Sequence, residues 1–167
     1  MADEQRATYP FQAFNFDVSI EVKGLGVTKL CEGQFSECDG LEMTMDVKTI
    51  REGGNNSAAV RLIGPVNYGQ VTLKRGMTAS SLDLWDWFDA QQQAVPSQLR
   101  GDFRGEATIS LRTANRSDDR VRFILKRCLL TKLKAPAMNA SAGIVAIEEI
   151  QLTYESMHIE RGGGIHA

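Results

Sequence analysis

Between Leu41 and Lys48 the chain reads Leu-Glu-Met-Thr-Met-Asp-Val-Lys, eight residues that alternate apolar and polar without a fault. A side-chain period of two belongs to a β-strand, whose successive side chains point to opposite faces, so this segment is expected to be a strand with one buried face. The same period runs through Phe14, Phe16, Val18, Ile20 and Val22, through Ala107, Ile109 and Leu111, and through Val121, Phe123 and Leu125. A chain that repeats this period so often builds sheets.

The spacing of turn residues sets how those strands connect. Lys23-Gly24-Leu25-Gly26-Val27 supplies a glycine-rich hairpin connection, where positive φ carries little steric cost. Lys29 to Cys38 would return as the partner strand, and Asp39-Gly40 would turn the chain into Leu41 to Val47, making a three-stranded antiparallel meander. Ala107–Leu111 and Val121–Leu125, joined by the turn sequence Asn115-Arg116-Ser117-Asp118-Asp119, read as a second hairpin. In the last strand, Ile144 to Tyr154, the apolar parity switches at Glu148-Glu149, as a β-bulge would produce.

Two segments depart from this pattern. From about Thr49 to Val60 the chain carries Arg51-Glu52-Gly53-Gly54-Asn55-Asn56-Ser57, polar and without any core-facing stripe. A loop of that length in a compact domain is a floppy surface segment or an arm ordered by a neighbour. Ser80-Ser81-Leu82-Asp83-Leu84-Trp85-Asp86-Trp87-Phe88 reads as a capped helix, with Ser80 or Ser81 accepting backbone N–H groups and Asp83 in the first turn. Its spacing places Leu82, Trp85 and Phe88 on the packed face and leaves Trp87 as an exposed ring or a subunit contact. Pro96 ends the pattern. Asp83, Asp86 and Asp89 form an acidic row best read as a solvated face.

Composition narrows the function classes. The 167 residues fit one domain, spanning 1–167 with a polar N-terminal arm (1–8) and a glycine-rich tail (161–167). No apolar run approaches the roughly 20 residues of a membrane helix, and the polar N-terminus has no signal-peptide core, so cytoplasmic synthesis without membrane insertion is expected. Cys31, Cys38 and Cys128 offer neither a disulfide framework nor metal-ligand spacing, and the two histidines, His158 and His166, lie at the C-terminal end. Cys128 reads as a small core residue, and Cys38 as the end of a strand. Residues 99–134 hold ten basic and four acidic side chains, near +6, against nine basic and seventeen acidic elsewhere, near −8. This asymmetry admits nucleic-acid binding, solvated strand faces, or complementarity between stacked copies. A base-stacking platform would need aromatics that this segment lacks, since Phe103 and Phe123 stand alone.

Several segments together resemble the phage tail-tube family, and within it the tube and tube-initiator subunits of contractile injection systems. They are Phe35-Ser36-Glu37-Cys38-Asp39-Gly40-Leu41, Glu52-Gly53-Gly54-Asn55-Asn56 with Gly64-Pro65, Tyr68-Gly69-x-Val71-Thr72-Leu73-Lys74-Arg75-Gly76-Met77-Thr78, Leu84-Trp85-x-Trp87, Met138-Asn139-Ala140 and Val145-Ala146-Ile147-Glu148. The resemblance spans roughly Tyr9 to Glu160. It implies a structural protein of a phage tail or injection particle, assembled in the bacterial cytoplasm. The implied partners are its own copies in stacked six-membered rings, neighbouring tube, spike or baseplate subunits, a surrounding sheath, and cargo or DNA in the lumen without sequence-specific contact.

No cofactor, metal or catalytic constellation emerges: there is no nucleophile elbow, and Gly24-x-Gly26 lacks the third glycine of a dinucleotide fingerprint. The expected fold is mainly β, two packed antiparallel sheets or a flattened barrel, with one helix from about Ser81 to Gln93 covering an open edge. The expected inter-subunit contacts are Arg51, Glu52, Gly53, Gly54, Asn55, Asn56, Trp87, Arg120 and Arg122, and the protein is expected not to be an enzyme. The competing reading is a monomeric carbohydrate- or ligand-binding β-sandwich, for which only Trp87 and Tyr68 are candidate exposed aromatics.

Overall fold

A computed structural model describes residues 15–25, 30–33, 35–51, 53–54, 59–78, 81–93, 103–112, 119–139, 141, 143 and 145–161. The polar N-terminal arm, residues 162–167 of the tail, Pro96, and the turn residues Gly26, Val27 and Asn115–Asp118 lie outside the described residues. Among the described residues the chain forms ten strands and one α-helix: β1 (Phe16–Val22), β2 (Cys31–Gly33), β3 (Glu37–Asp39), β4 (Met43–Ile50), β5 (Val60–Tyr68), β6 (Val71–Gly76), α1 (Ser81–Gln93), β7 (Gly105–Arg112), β8 (Asp119–Lys134), β9 (Ile147–Thr153) and β10 (Ser156–Arg161). The pairings among the described residues are all antiparallel, in the order β2-β1-β7-β8-β9-β6-β3, with β10 also on β8 and with β4 and β5 forming a two-stranded sheet of their own.

The long strand β8 belongs to two layers. Its first half pairs with β7 and β10, its second with β9, and between them Arg127 takes a positive φ of 57°. A non-glycine residue in that region bends the strand, and the bend folds one continuous sheet onto itself. The inner faces of the two halves then share a core of Val18, Ile20, Ala107, Ile109 and Leu125 from one layer and Val71, Leu73, Leu130, Ile150 and Leu152 from the other. Cys128 lies in that core, as expected, and burial pushes its thiol up to about 12. The β7–β8 hairpin has the register its alternation implies, Ala107 opposite Leu125 and Ile109 opposite Phe123.

Four expectations are corrected. The N-terminal meander does not form: β2 pairs with β1, but β3 pairs with β6 and β4 with β5, because the return segment divides into two short strands that serve different layers. Cys38 lies within β3 rather than at its end, half-buried against the core. The strand β4 exists, yet every residue along it is exposed. The parity switch near Glu148 is not a bulge in β9, which pairs with β6 in unbroken register from Gly76↔Ile147 to Val71↔Leu152. Instead, Glu148 itself points inward with Ile150 and Leu152, and Val145 and Ile147 are left outside. The irregularity sits on the partner strand, between Leu130 and Lys132 of β8.

The buried carboxylate explains the polar break. Arg75 Nε donates to Glu148 Oε1 at 2.5 Å, the Ser81 hydroxyl donates to the same oxygen at 2.8 Å, and Arg75 Nη2 donates to Ser81 Oγ at 3.3 Å. Arg75 also lies over the Phe35 ring at 5.4 Å. A buried charge needs a close, hydrogen-bonded counter-ion, and this triad ties β6, β9 and the first residue of α1 to one another.

The same triad corrects the helix face. The buried helical residues are Ser81, Leu84 and Trp87, at three-residue intervals, whereas Leu82 is 63% exposed. A phase set from apolar residues alone starts at Leu82; the true phase starts at Ser81, a polar residue drawn inside by Glu148 and Arg75. Trp87 is therefore a core residue, fully enclosed, with its indole N–H donating to the Phe103 carbonyl at 2.8 Å. It is not an inter-subunit contact.

Candidate assembly surface

The ladder between β3 and β6 does not stop where the sheet stops. Glu37 pairs with Lys74 and Asp39 with Thr72; in the same register Gly69 N–H donates to the Glu42 carbonyl at 2.9 Å, and Met43 pairs with Tyr68 and Met45 with Val66. The hairpin β4–β5 is thus the outer ladder of one layer continued past the point where β9 turns away at Tyr154. It leaves the body as a two-stranded arm. The exit is tight: Gly40 adopts φ +88°, and a Cβ there would sit 2.0 Å from the Gln70 carbonyl oxygen, so only glycine fits. The Tyr154 hydroxyl donates to the Glu42 carbonyl at 3.2 Å, and the Tyr68 and Tyr154 rings meet at 5.4 Å, which fixes the arm's root to the core.

Halfway along, the register shifts between Met45 and Val47, with Gly64-Pro65 opposite Asp46. A Cβ on Gly64 would lie 2.6 Å from the Asp46 carbonyl oxygen, and Pro65 brings no N–H to a ladder that has lost its pairing there. This glycine-proline pair also conceals β5 from a periodicity reading.

The arm's two faces differ. One carries the cross-strand pairs Met43–Tyr68, Met45–Val66 and Val47–Ile63; the other starts with Thr44–Asn67 and Asp46, where Asn67 Nδ2 donates to Asp46 Oδ2 at 3.1 Å. On the apolar face Met43 is 55%, Val47 58% and Ile63 81% exposed. Toward the tip Ile50, Val60 and Leu62 add further exposed apolar surface. An isolated two-stranded ribbon is marginally stable in water, and exposed apolar area carries a cost of about 25 cal/mol per Å² relative to burial. Among the described residues nothing covers this apolar face.

The expected contact residues fall at three places. Arg51 is exposed at the arm's tip, and Gly53 and Gly54 form an exposed turn with Gly54 at φ +102°; Glu52, Asn55 and Asn56 lie outside the described residues. Arg120 and Arg122 are exposed on β8, far from the arm in sequence, and Arg122 Nε is held by Asp119 at 2.7 Å. Trp87 is in the core. The residues that sequence reasoning missed as surface are Met43, Met45 and Val47, whose alternation is visible but points by itself to the chain's own core, and Leu62 and Ile63, which lie in the concealed strand β5.

The basic segment is less asymmetric in space than in sequence. Arg112 pairs with Asp17 and Asp119, Arg122 with Asp119, Arg104 and Arg127 with Glu155, and Lys132 with Glu149. Sheet pairing brings acids from β1, β9 and the β9–β10 corner beside it, so much of the surplus is neutralised within the protomer. Arg120, Lys126 and Lys134 form no ion pair among the described residues. Beside the Arg127 bend an open depression of about 400 Å³ is lined by Glu21, Lys23, Arg104, Gly105, Glu106, Lys126 and Arg127, charges of both signs. Among the described residues no group of three His, Cys, Asp or Glu side chains is arranged to hold a metal ion, and no helix is long and apolar enough to cross a membrane.

A profile of the T4-like virus tail tube protein gp19 family matches residues 12–158. In fold the chain is similar to one in the sheath-tube complex of an extracellular contractile injection system, PVC, in the extended state. That likeness has a TM-score of 0.72 and 20% identity, over 96% of this chain and 98% of the other. It is similar at TM-score 0.72 and 25% identity to a chain of the anti-feeding prophage (AFP) baseplate, 6-fold symmetrised, over 92% of this chain and 97% of that one. The AFP tube-terminating cap gives 0.71 and 20%, over 96% and 97%. No curated protein sequence matches the chain.

Proposed function

Because the chain belongs to the T4-like virus tail tube protein family, we propose that it is a structural subunit of the inner tube, or of the tube-initiating ring, of a contractile injection system or phage tail. Its copies close into six-membered rings that stack around a lumen. The observation that carries this reading is the arm: a two-stranded, apolar-faced extension with no cover among the described residues. The six-fold symmetry of the similar AFP baseplate supports the ring number.

The role is mechanical. A hollow stack of rings is driven outward when a sheath contracts around it, and cargo or DNA occupies the lumen without sequence-specific contact. Sheath, baseplate and spike subunits are the further partners, and assembly takes place in the bacterial cytoplasm. No bond is made or broken by this protein, and no cofactor enters the mechanism. The competing carbohydrate-module reading loses both of its aromatic candidates, since Trp87 is enclosed and Tyr68 packs on Tyr154.

Size-exclusion chromatography with light scattering, followed by electron microscopy, tests the proposal: rings or tubes are expected, and a strict monomer at every concentration refutes it. Deleting Gly53 to Asn56 is expected to leave the protomer folded while abolishing stacking. Tubes of normal length from that variant would show that the loop at the arm's tip is not a contact.

A further inference from the structure

The bend in β8 is built on an unexpected residue. Between the pairs Gly105↔Cys128 and Ala107↔Leu125, β7 advances by two residues and β8 by three, so β8 carries one extra residue at Lys126-Arg127. In bulges that hold a left-handed residue within the strand, that residue is ordinarily glycine, because a Cβ crowds the following carbonyl. At Gly40 and Gly54, the other positive-φ positions among the described residues, glycine is indeed used. Arg127 stands at φ 57° instead, a conformation disfavoured in a non-glycine residue by roughly five- to thirtyfold in population.

What glycine cannot supply is a side chain. Arg127 Nε donates to Glu155 Oε2 at 2.5 Å, and Arg104 Nη1 donates to Glu155 Oε1 at 2.5 Å while lying 3.5 Å from the Arg127 carbonyl oxygen. The Glu155 N–H donates to the Lys126 carbonyl at 3.1 Å. Glu155 sits where β9 passes into β10: Thr153 pairs with Leu129 beyond the bend, and Ser156 with Lys126 before it. One carboxylate thus joins the bend of β8, the entry to β7 and the β9–β10 corner. Its side chain is 47% exposed and that of Arg127 46%, so water and salt reach this contact as they do not reach the enclosed Arg75–Glu148 pair.

We propose that Glu155, held by Arg104 and Arg127, is a releasable latch on the β8 bend. The latch, rather than local backbone preference, keeps Arg127 left-handed. While it is closed, the two layers stay folded together at this corner. When it opens, Arg127 returns to extended backbone, the extra residue loses its place, and β8 parts locally from the β9–β10 corner. Glu155 acts through Arg127 and is therefore a positioning residue. Glycine at position 127 would make the bend permanent; arginine makes it conditional on an ion pair that salt or a competing charged surface can open. The protomer so gains a hinge between the two halves of its sheet. This inference does not depend on how copies assemble.

Two readouts follow the latch in the full chain: hydrogen exchange of the residue-155 amide, corrected for intrinsic rate, and site-resolved alkylation of the buried Cys128 thiol beside the bend. The Leu73 amide, in the β6–β9 ladder, is the reference. Glu155→Gln and Arg127→Ala are each expected to speed both readouts about tenfold or more and to leave Leu73 unchanged. Arg127→Gly loses the guanidinium as Arg127→Ala does, yet it is expected to be no faster than the unaltered protein, because glycine accepts the left-handed backbone. Added to Glu155→Gln, it is expected to bring the rates back. In about 1 M salt the unaltered protein is expected to move toward the Glu155→Gln rates, and Arg127→Gly to stay where it is. Equal rates for Arg127→Ala and Arg127→Gly overturn the latch, as does an acceleration by Glu155→Gln that persists undiminished beside Arg127→Gly; Glu155 would then only tie the corner. No acceleration by Glu155→Gln also overturns it. Should that variant fail to fold, the alanine–glycine comparison and the salt series decide the question, and a flat result in both refutes the proposal.

Discussion

Replacing Trp87 by alanine removes a fully enclosed indole and the donor of its bond to the Phe103 carbonyl. A tryptophan side chain buries on the order of 200 Å², which at about 25 cal/mol per Å² corresponds to roughly 5 kcal/mol, in line with the 3–5 kcal/mol typical of Trp-to-Ala truncation in cores. The surroundings collapse poorly into the space, because the backbone at Gly105 already approaches the ring: a Cβ there would stand 3.1 Å from Trp87 Cζ2 and from Val22 Cγ2. For a domain of this length about 2–4 °C of melting temperature is lost per kcal/mol, so the expected drop is about 6–20 °C. Trp85, half-buried on the next face, is expected to cost about 1–2 kcal/mol when truncated. The assay is thermal unfolding followed by circular dichroism at a concentration where the chain is a protomer, since assembly would add its own stabilisation. Equal losses from both substitutions, or a larger one from Trp85→Ala, would refute the assigned helix phase and with it the role of Ser81 as its first inward residue.

Arg75→Met leaves the Glu148 carboxylate enclosed without its counter-ion and is expected to lower stability by about 3–5 kcal/mol in urea unfolding, with Glu148→Leu added to it recovering part of the loss. Gly64→Ala puts a methyl 2.6 Å from the Asp46 carbonyl. Because the arm stands outside the core, protomer melting should change little while sedimentable assemblies disappear; a normal tube yield would show that the arm tolerates a shifted register. Burial pushes the Cys38 thiol up to about 11 and that of Cys128 to about 12. Near pH 8 the thiolate fraction at Cys38 is therefore on the order of one in a thousand, and maleimide labelling there should be slow, rising about tenfold per pH unit toward 11. Stacking that depends on exposed complementary charge should weaken toward about 1 M salt, where the screening length is near 3 Å. A sedimentation series that is flat with salt, with no defect in Arg120→Glu, would assign the exposed charges another task.

What the residues disclosed and what they withheld divide along one line. Alternation identifies a strand and its apolar side wherever it occurs, so β1, β4, β7 and β8 were all legible. It is silent on whose surface covers that side. For Val18, Ile20 and Ala107 the cover is this chain; for Met43, Met45 and Val47 none of the described residues supplies it, and no local signal separates the cases. Polar residues that turn inward mislead the same arithmetic twice. Glu148 looked like a break in β9, and Ser81 did not look like part of the helix's inner face, because each is buried only through the other and Arg75, more than 70 residues from Glu148. The family motifs had placed Arg75 in one segment and Glu148 in another; only the fold shows that those segments meet. The charge of residues 99–134 misled for a related reason, since sheet pairing sets acids from distant segments beside it.

The order of strands also fixes the order in which the newborn chain can act. On one side β1 finds β2 almost at once, but Phe16 pairs with Leu111, so its other edge waits for β7 until some 95 residues later, roughly 5–20 seconds at ordinary rates of synthesis. The arm needs no such wait: β4 and β5 are neighbours in sequence, and a hairpin closes in about 1–10 μs once both halves have left the ribosome. The adhesive part of the molecule is thus complete before the body that restrains it. Chains growing side by side on one message therefore display finished arms while β7, β8 and β9 are still unmade.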